Sequence, residues 1–344
     1  MKKQIQTLIF LGAVALLASC TKEIEFKGEQ SDPRLVINSI VEPGQPVKAR
    51  ISKSYFFLDN TEDTQVPSDL VATLYVNGNA IGEMTPQSDT IWATEHYWDM
   101  DPVYYVWDVY ASSYCPAEGD VVSITASAKG FNPVEGSTGA LPDLPNCRVK
   151  SLQLIETESW PAFYDDEDTT WQYCDTYEFV IELTDTNPNV LDCYKMSIDE
   201  DYHYYDTLDQ YLYHWHAYIR DYSDPIFGAI STGTDISVID DLSESNGTFN
   251  DQFFDGHYYN VKLSVAVSYV KPEGNSDPFI IPIYVEHITK GYYNYLNTSN
   301  QGDETIQYFS EPVQTFTNVN GGYGIVGGRT VETLWFMLPA DIFN

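Results

Sequence analysis

The sequence predicts a mainly β protein: an N-terminal immunoglobulin-like sandwich, then a larger β-rich part carrying one helix near residues 284–297. Three observations point there. Short runs alternating between apolar and polar residues recur from Arg34 onward, and period-two alternation puts one face of a strand on a core and the other on solvent. Aromatic residues make up 15% of the 344 residues, 27 of them tyrosine, a composition suited to pleated, half-buried surfaces. Turn-forming pairs such as Pro43-Gly44 and Asn77-Gly78 punctuate the runs, and Asn-Gly is the strongest short hairpin signal because a type I′ turn needs positive φ at both central residues.

The elements follow in order. Residues 1–19 open with Lys2 and Lys3, continue through the apolar stretch Ile5 to Ala18 and close on small residues before Cys20. A basic start, a short apolar run and a small-residue cleavage site make a secretory signal too short to span a bilayer. Leu17-Ala18-Ser19-Cys20 resembles the lipobox of bacterial lipoproteins, in which the cysteine is acylated and the chain is cut before it. Residues 20–33 then read as a lipidated tether. Residues 34–146 hold about seven short strands, among them Leu35 to Ile37, Val47 to Ile51, Leu70 to Val76, Val103 to Tyr110 and Val121 to Ala128, which fits an immunoglobulin-like sandwich. The joint is Leu141-Pro142-Asp143-Leu144-Pro145-Asn146, where two prolines discourage helix and central strand alike. Residues 147–344 form the β-rich C-terminal part. It contains a long alternating strand, Tyr258 to Val270, and a helix read from Val285, Ile288, Tyr292, Tyr295 and Leu296 at helical spacing.

Charge narrows the partners. The formal net charge is −34, and loss of Lys2 and Lys3 on cleavage takes the mature chain to −36. Such a surface repels nucleic acid and anionic lipid. Membrane attachment therefore rests on acyl chains at Cys20 rather than on a basic patch. Cys115, Cys147, Cys174 and Cys193 make an even set that invites pairing in an exported chain, with Cys115–Cys147 and Cys174–Cys193 the economical choice and four packed thiols the alternative.

Both ends of the chain resemble a known family. The segment Cys20-Thr21-Lys22-Glu23-Ile24, followed by RLVINSIVEPGQPVKARISKSYF over residues 34–56, is similar to the start of an uncharacterised family of Bacteroidota outer-membrane lipoproteins. The C-terminal match is denser: Tyr292-Tyr293-Asn294-Tyr295-Leu296, Phe309-Ser310-Glu311-Pro312, and Asn318-Val319-Asn320-Gly321-Gly322-Tyr323-Gly324-Ile325-Val326-Gly327-Gly328, with Val326 where the family usually has Phe. Residues 157–255 carry no matching motif. The resemblance implies a lipid-anchored outer-membrane lipoprotein, often encoded beside TonB-dependent receptors, facing the cell surface rather than the periplasm, with Lys22, Glu23 and Glu25 after the acylated cysteine compatible with surface export. It supplies neither an activity nor catalytic residues.

Several constellations invite chemistry. Gly322-Tyr323-Gly324-Ile325-Val326-Gly327 matches G-x-G-x-x-G, but its neighbours read as β, so the expectation is a glycine-rich segment with positive φ or close strand packing. His214 and His216, with His203 nearby, place two imidazoles at i, i+2 of a strand, short of a metal site without a third ligand. The acidic groups Asp59–Asp63, Asp165–Asp168 and Asp185-Thr186-Asn187-Pro188-Asn189 offer oxygen ligands for calcium, but none has EF-hand spacing, and 51 acidic residues produce such clusters by composition. No metal and no cofactor are assigned. Tyr204, Tyr211, Tyr213, Trp215 and Tyr218 form the best candidate binding surface for a glycan or peptide, since amphipathic aromatics supply contact area at low entropic cost. The alternative for them is ordinary cross-strand packing. Asp89-Thr90-Ile91, Asp168-Thr169-Thr170 and Asp206-Thr207-Leu208 resemble short O-glycosylation sites. No nucleophile elbow, H-E-x-x-H or Ser/His/Asp signature is present. The expectation is a non-catalytic outer-membrane lipoprotein that serves a TonB-dependent transporter as accessory or ligand-binding partner. The alternative is a stand-alone surface module for carbohydrate or peptide, with a hydrolase third.

Overall fold

A computed structural model describes residues 32–55, 66–93, 103–164, 169–198, 201–205, 211–222, 224–228, 246–270, 280–299 and 315–337. The first half supplies β1 (Leu35–Val41), β2 (Lys48–Lys53), β3 (Val71–Val76), β4 (Asn79–Glu83), β5 (Thr85–Ala93), β6 (Val103–Ala111), β7 (Val121–Ser127) and β8 (Val134–Ala140). Next come β9 (Asn146–Tyr164), β10 (Thr169–Thr184), β11 (Cys193–Ile198), β12 (Asp201–Tyr205), β13 (Tyr211–Asp221) and a single helical turn, α1 (Pro225–Gly228). The chain closes with β14 (Thr248–Asn250), β15 (Tyr258–Val270), β16 (Ile280–Ile288), α2 (Lys290–Ser299), β17 (Val319–Asn320) and β18 (Tyr323–Met337). The mainly β class holds, as does the Asn77-Gly78 turn, whose residues take φ of 51° and 77° between β3 and β4.

Among the described residues, three sheets enclose two main cores. An eight-stranded sheet runs β14-β11-β16-β18-β1-β2-β6-β5; one five-stranded sheet runs β17-β8-β7-β3-β4 and the other β12-β13-β15-β10-β9. The first core alternates inward residues of β1 and β2 (Leu35, Ile37, Ala49, Ile51) with those of β3 and β7 (Ala72, Leu74, Val122, Ile124). The second packs Phe179, Ile181, Leu183, Val261, Leu263 and Val265 against Met196, Ile281, Ile283 and Val285. Burial of such side chains contributes about 1.5–3 kcal/mol each and is what holds the sheets face to face.

β18 belongs to both cores. Its first six residues pair in parallel with β1, from Val36 opposite Tyr323 to Val41 opposite Gly328. Its remaining residues pair antiparallel with β16, from Ile288 opposite Arg329 to Ile280 opposite Met337. Val319 and Val326, near the chain's end, are therefore buried in the core built by its beginning. The glycines make this crossing fit. A Cβ on Gly322 would run into the Leu35 carbonyl oxygen, and one on Gly136 of β8 into the Val326 side chain. Asn318 fastens the join, donating to the Ser137 and Val326 carbonyls and accepting from the Val326 N–H. The glycine-rich run is thus close strand packing, as its β neighbours predict, and it opens no helix.

The helix is shifted from its expected place. Residues 284–288 are the end of β16, and α2 covers Lys290–Ser299. β16 has a partner strand on each side, β11 and β18, and both its faces are covered, so its apolar run lacks the alternation that marks a strand. Thr289 separates the two elements: its carbonyl accepts the first helical bond from Tyr293, while its Oγ1 takes the Gly328 N–H.

Candidate functional site

At the seam between the cores lies a cleft of about 580 Å³. Its walls are the 141–143 joint, the 187–193 loop and strand start, and the 287–291 strand-to-helix corner. A few polar groups converge there, the usual mark of a binding cleft. His287 is buried and faces two acids: its Nδ1 lies 3.0 Å from the Asp143 carbonyl oxygen and 3.2 Å from Asp143 Oδ1, and its Nε2 lies 3.4 Å from Asp192 Oδ1. The Tyr194 ring stacks on it at 4.9 Å.

Behind this wall, two loops bring three aspartates together. The β10–β11 loop folds around Asp185, whose Oδ1 accepts the Asn187 N–H at 2.7 Å and whose Oδ2 accepts the Gly256 N–H. This Asx turn uses asparagine and aspartate as turn formers, and Asn189 completes it at φ 70°. The β14–β15 loop answers from the other side, with Asp255 Oδ1 taking the Asn189 N–H at 2.6 Å and the Asp251 N–H bonding the Asp192 carbonyl at 3.2 Å. Asp185, Asp192 and Asp251 are all buried, and each contributes an oxygen lying within 4.8 Å of the others. Burial, then the neighbouring Asp192 and Asp185, pushes the Asp251 carboxyl up to about 6. The same charges reach outward: Cys193 is pushed up to about 12 by burial, then by Asp251 and Asp192, with Lys290 opposing. Tyr194 is raised by burial and then by Asp192, Asp185 and Asp251.

Sequence reasoning singled out Asp185, Asn187 and Asn189 but not Asp192 or Asp251. Asp251 lies 66 residues beyond Asp185, and only the folded sheet brings the β10–β11 and β14–β15 loops side by side. No spacing rule encodes that.

The aromatic set falls mostly at one sheet edge. Tyr204 lies on β12, and Tyr211, Tyr213 and Trp215 on β13; the backbone register sets Tyr204 opposite Tyr213 and Tyr202 opposite Trp215. Their side chains, like those of His203 and His214, lie outside the described residues, as do Cys20 and the acidic groups at 59–63 and 165–168. Tyr218 is half-buried on β13 with its ring 5.4 Å from His216, and burial, then Cys174, raises its phenol. Cys115, Cys147, Cys174 and Cys193 stand as free thiols, the second of the two expected arrangements. Cys174 and Cys193 sit in different sheets, Cys193 packed against Ile288 and Tyr293. Cys115 is exposed in the β6–β7 connection, while Cys147 is the second residue of β9, its thiol raised to about 12 by burial and then Glu332.

A second surface was not foreseen. β9 is an edge strand of 19 residues, about 60 Å if fully extended, and residues 148–160 are exposed throughout. Leu152, Leu154, Ile155 and Trp160 stand on it at 37–52% exposure, with Trp171 of β10 beside them. A long, exposed, apolar edge is a template for pairing with another chain.

Compared with known proteins, residues 21–334 match the model of a family described as a domain of unknown function, DUF4249. No curated protein matches the chain.

Proposed function

The chain belongs to the DUF4249 family, and we propose that it is a non-catalytic lipoprotein, anchored in the outer membrane through acylated Cys20, that docks on a TonB-dependent transporter at the cell surface. In this reading residues 34–146 are an immunoglobulin-like sandwich completed by the first half of β18, and residues 147–344 carry the docking surface. The observation that carries the proposal is the exposed edge of β9, with Leu154, Ile155 and Trp160 outward and, among the described residues, no strand on its free side. A partner segment adding a strand there would gain main-chain hydrogen bonds, while these side chains supply contact area. The acidic surface, at −34 overall, favours a partner with basic patches over nucleic acid or bare anionic lipid.

The test is affinity purification of the tagged full-length chain from detergent-solubilised outer membrane. A transporter should co-purify in near-stoichiometric amount, and Ile155→Asp combined with Trp160→Asp should abolish its recovery. Recovery of the chain alone would sink the proposal. A second reading, a stand-alone carbohydrate- or peptide-binding module, is favoured by the facing register of Tyr202 with Trp215 and Tyr204 with Tyr213 at the opposite edge. Replacing Tyr211, Tyr213 and Trp215 by alanine separates the two: lost glycan binding with intact transporter recovery selects the module.

A further inference from the structure

We propose that Asp185, Asp192 and Asp251 form a calcium site that ties the β10–β11 loop to the β14–β15 loop beside the seam cleft. The proposal is independent of the transporter.

The donor geometry fits one ion. Calcium–oxygen distances run about 2.3–2.6 Å, so two oxygens of one ion are at most about 5 Å apart. The three carboxylate oxygens all lie within 4.8 Å of one another. The set is oxygen from three carboxylates, which selects a hard cation over zinc or copper. Irregular loop geometry suits calcium better than magnesium, which demands a near-ideal octahedron.

Burial supplies an independent observation. Asp251 is 1% exposed, and its Oδ2 has no hydrogen-bond partner, the one such buried side-chain atom among the described residues. Other buried aspartates here are fully engaged. Asp175 accepts from Thr157 Oγ1 at 2.6 Å and from the Tyr269 hydroxyl at 3.0 Å. Asp224 accepts from the Tyr259 hydroxyl at 2.8 Å and the Lys262 N–H at 2.9 Å. An unsatisfied oxygen on a buried carboxylate is costly, and a buried carboxylate grouped with two further acids calls for a ligand that neutralises negative charge.

Among the described residues, the surrounding charges do not supply that neutralisation. Lys290 is close enough to oppose the acids at Cys193, and His287 faces Asp192, but its other nitrogen is turned to Asp143. Asp255 and His257 flank the site on the β14–β15 loop and bond to Asn189 and to the Asp255 carbonyl. A divalent ion would offset two of the three carboxylate charges at a stroke. Asp192 both lines the cleft and belongs to the cluster, which gives an ion an entry path.

The experiment uses the full-length chain in detergent, stripped with EGTA and returned to 1 mM CaCl₂, MgCl₂ or ZnCl₂. Calcium should raise the unfolding temperature by about 4 °C or more, as expected for a folded-state ligand well above its Kd. Terbium, an ion of calcium's chemistry, should emit on tyrosine excitation through nearby Tyr194, and calcium should quench that emission by displacement. Asp251→Asn should weaken calcium at least tenfold while unfolding, in EGTA, no lower than wild type, because it removes repulsion; Glu156→Gln, on the exposed arm, should respond as wild type does. Absence of both the thermal shift and the terbium signal in the wild-type chain would overturn the site, and that result needs no variant to fold. An equal shift with magnesium, or a full calcium response in Asp251→Asn, would overturn the assignment as well.

Discussion

The crossing of β18 over β1 makes a quantitative prediction at Gly324. This residue has φ +101°, and a Cβ there would be driven into the Ile37 carbonyl oxygen and lie 2.8 Å from Asn38 Oδ1. Two penalties combine in Gly324→Ala. A non-glycine residue at positive φ costs about 1–2 kcal/mol. Forcing a methyl group against main chain that cannot rotate away costs about 1–3 kcal/mol more. The sum, about 2–5 kcal/mol, is a large part of an ordinary folding stability of about 5–15 kcal/mol. Two controls separate the terms. Gly139 has φ +78° with nothing within 4 Å, so Gly139→Ala should lose only the conformational part. Gly322 has no positive φ, yet its Cβ would strike the Leu35 carbonyl, so Gly322→Ala should lose only the contact part. Urea unfolding followed by tryptophan fluorescence measures all three. If Gly324→Ala proves no worse than Gly139→Ala, the close approach of β18 to β1 is not what requires the glycine.

Arg329→Ala should destabilise by about 2 kcal/mol, below the range for a fully buried ion pair because the Arg329 side chain is 34% exposed. It strips the 2% exposed Glu286 of its 3.1 Å partner and releases Glu42, while Lys195 at 3.4 Å remains; a loss under 1 kcal/mol in urea unfolding would refute this. The raised Asp251 carboxyl fixes a pH trend: its folded value, about 6, exceeds the unfolded value near 4, so the folded state holds the extra proton between them. In EGTA, wild type should therefore lose stability relative to Asp251→Asn as pH rises from about 4 to about 6, and calcium should cancel the trend; a rise in relative stability through that window would contradict the assignment. Cys20→Ala should leave the chain soluble after cell fractionation, because a net charge of −34 offers the membrane no basic patch. Retention through a high-salt and carbonate wash would count against acylation as the anchor.

How much of this was legible in the sequence depended on the range of the interaction. Asn77-Gly78 announced its hairpin because the turn conformation is a property of two adjacent residues. β15 was readable from Tyr258 to Val270 because Val261, Leu263 and Val265 face the core at strict alternation. The end of β16, residues 284–288, reads as helix because partners on both sides and cover on both faces erase its period. The glycine run could be read as a place of close packing, but what it packs against could not. Its partner, β1, lies some 290 residues earlier, and a parallel pairing of chain ends leaves no local trace. The same holds for the aspartates. The Asp185–Asn189 loop shows its oxygen-rich turn, while Asp251 arrives through sheet topology.

These long-range joins converge on one strip of the molecule. β18 carries Gly324 and Gly328 against β1, Arg329 between Glu42 and Glu286, and Thr330 donating to the Asp143 carbonyl at 2.6 Å. Asp143 in turn faces His287, which faces Asp192 of the carboxylate cluster. The chain from the first core to the cluster is thus made of contiguous hydrogen-bonded and charged contacts, each with a named partner. Because one strand lies in both cores, neither can shed β18 without exposing apolar residues of its own, Val326 on one side and Phe336 on the other. The two cores should consequently unfold in one transition, so an ion bound at the carboxylate cluster, which joins two loops of the second core beside the seam, should stabilise that whole unit.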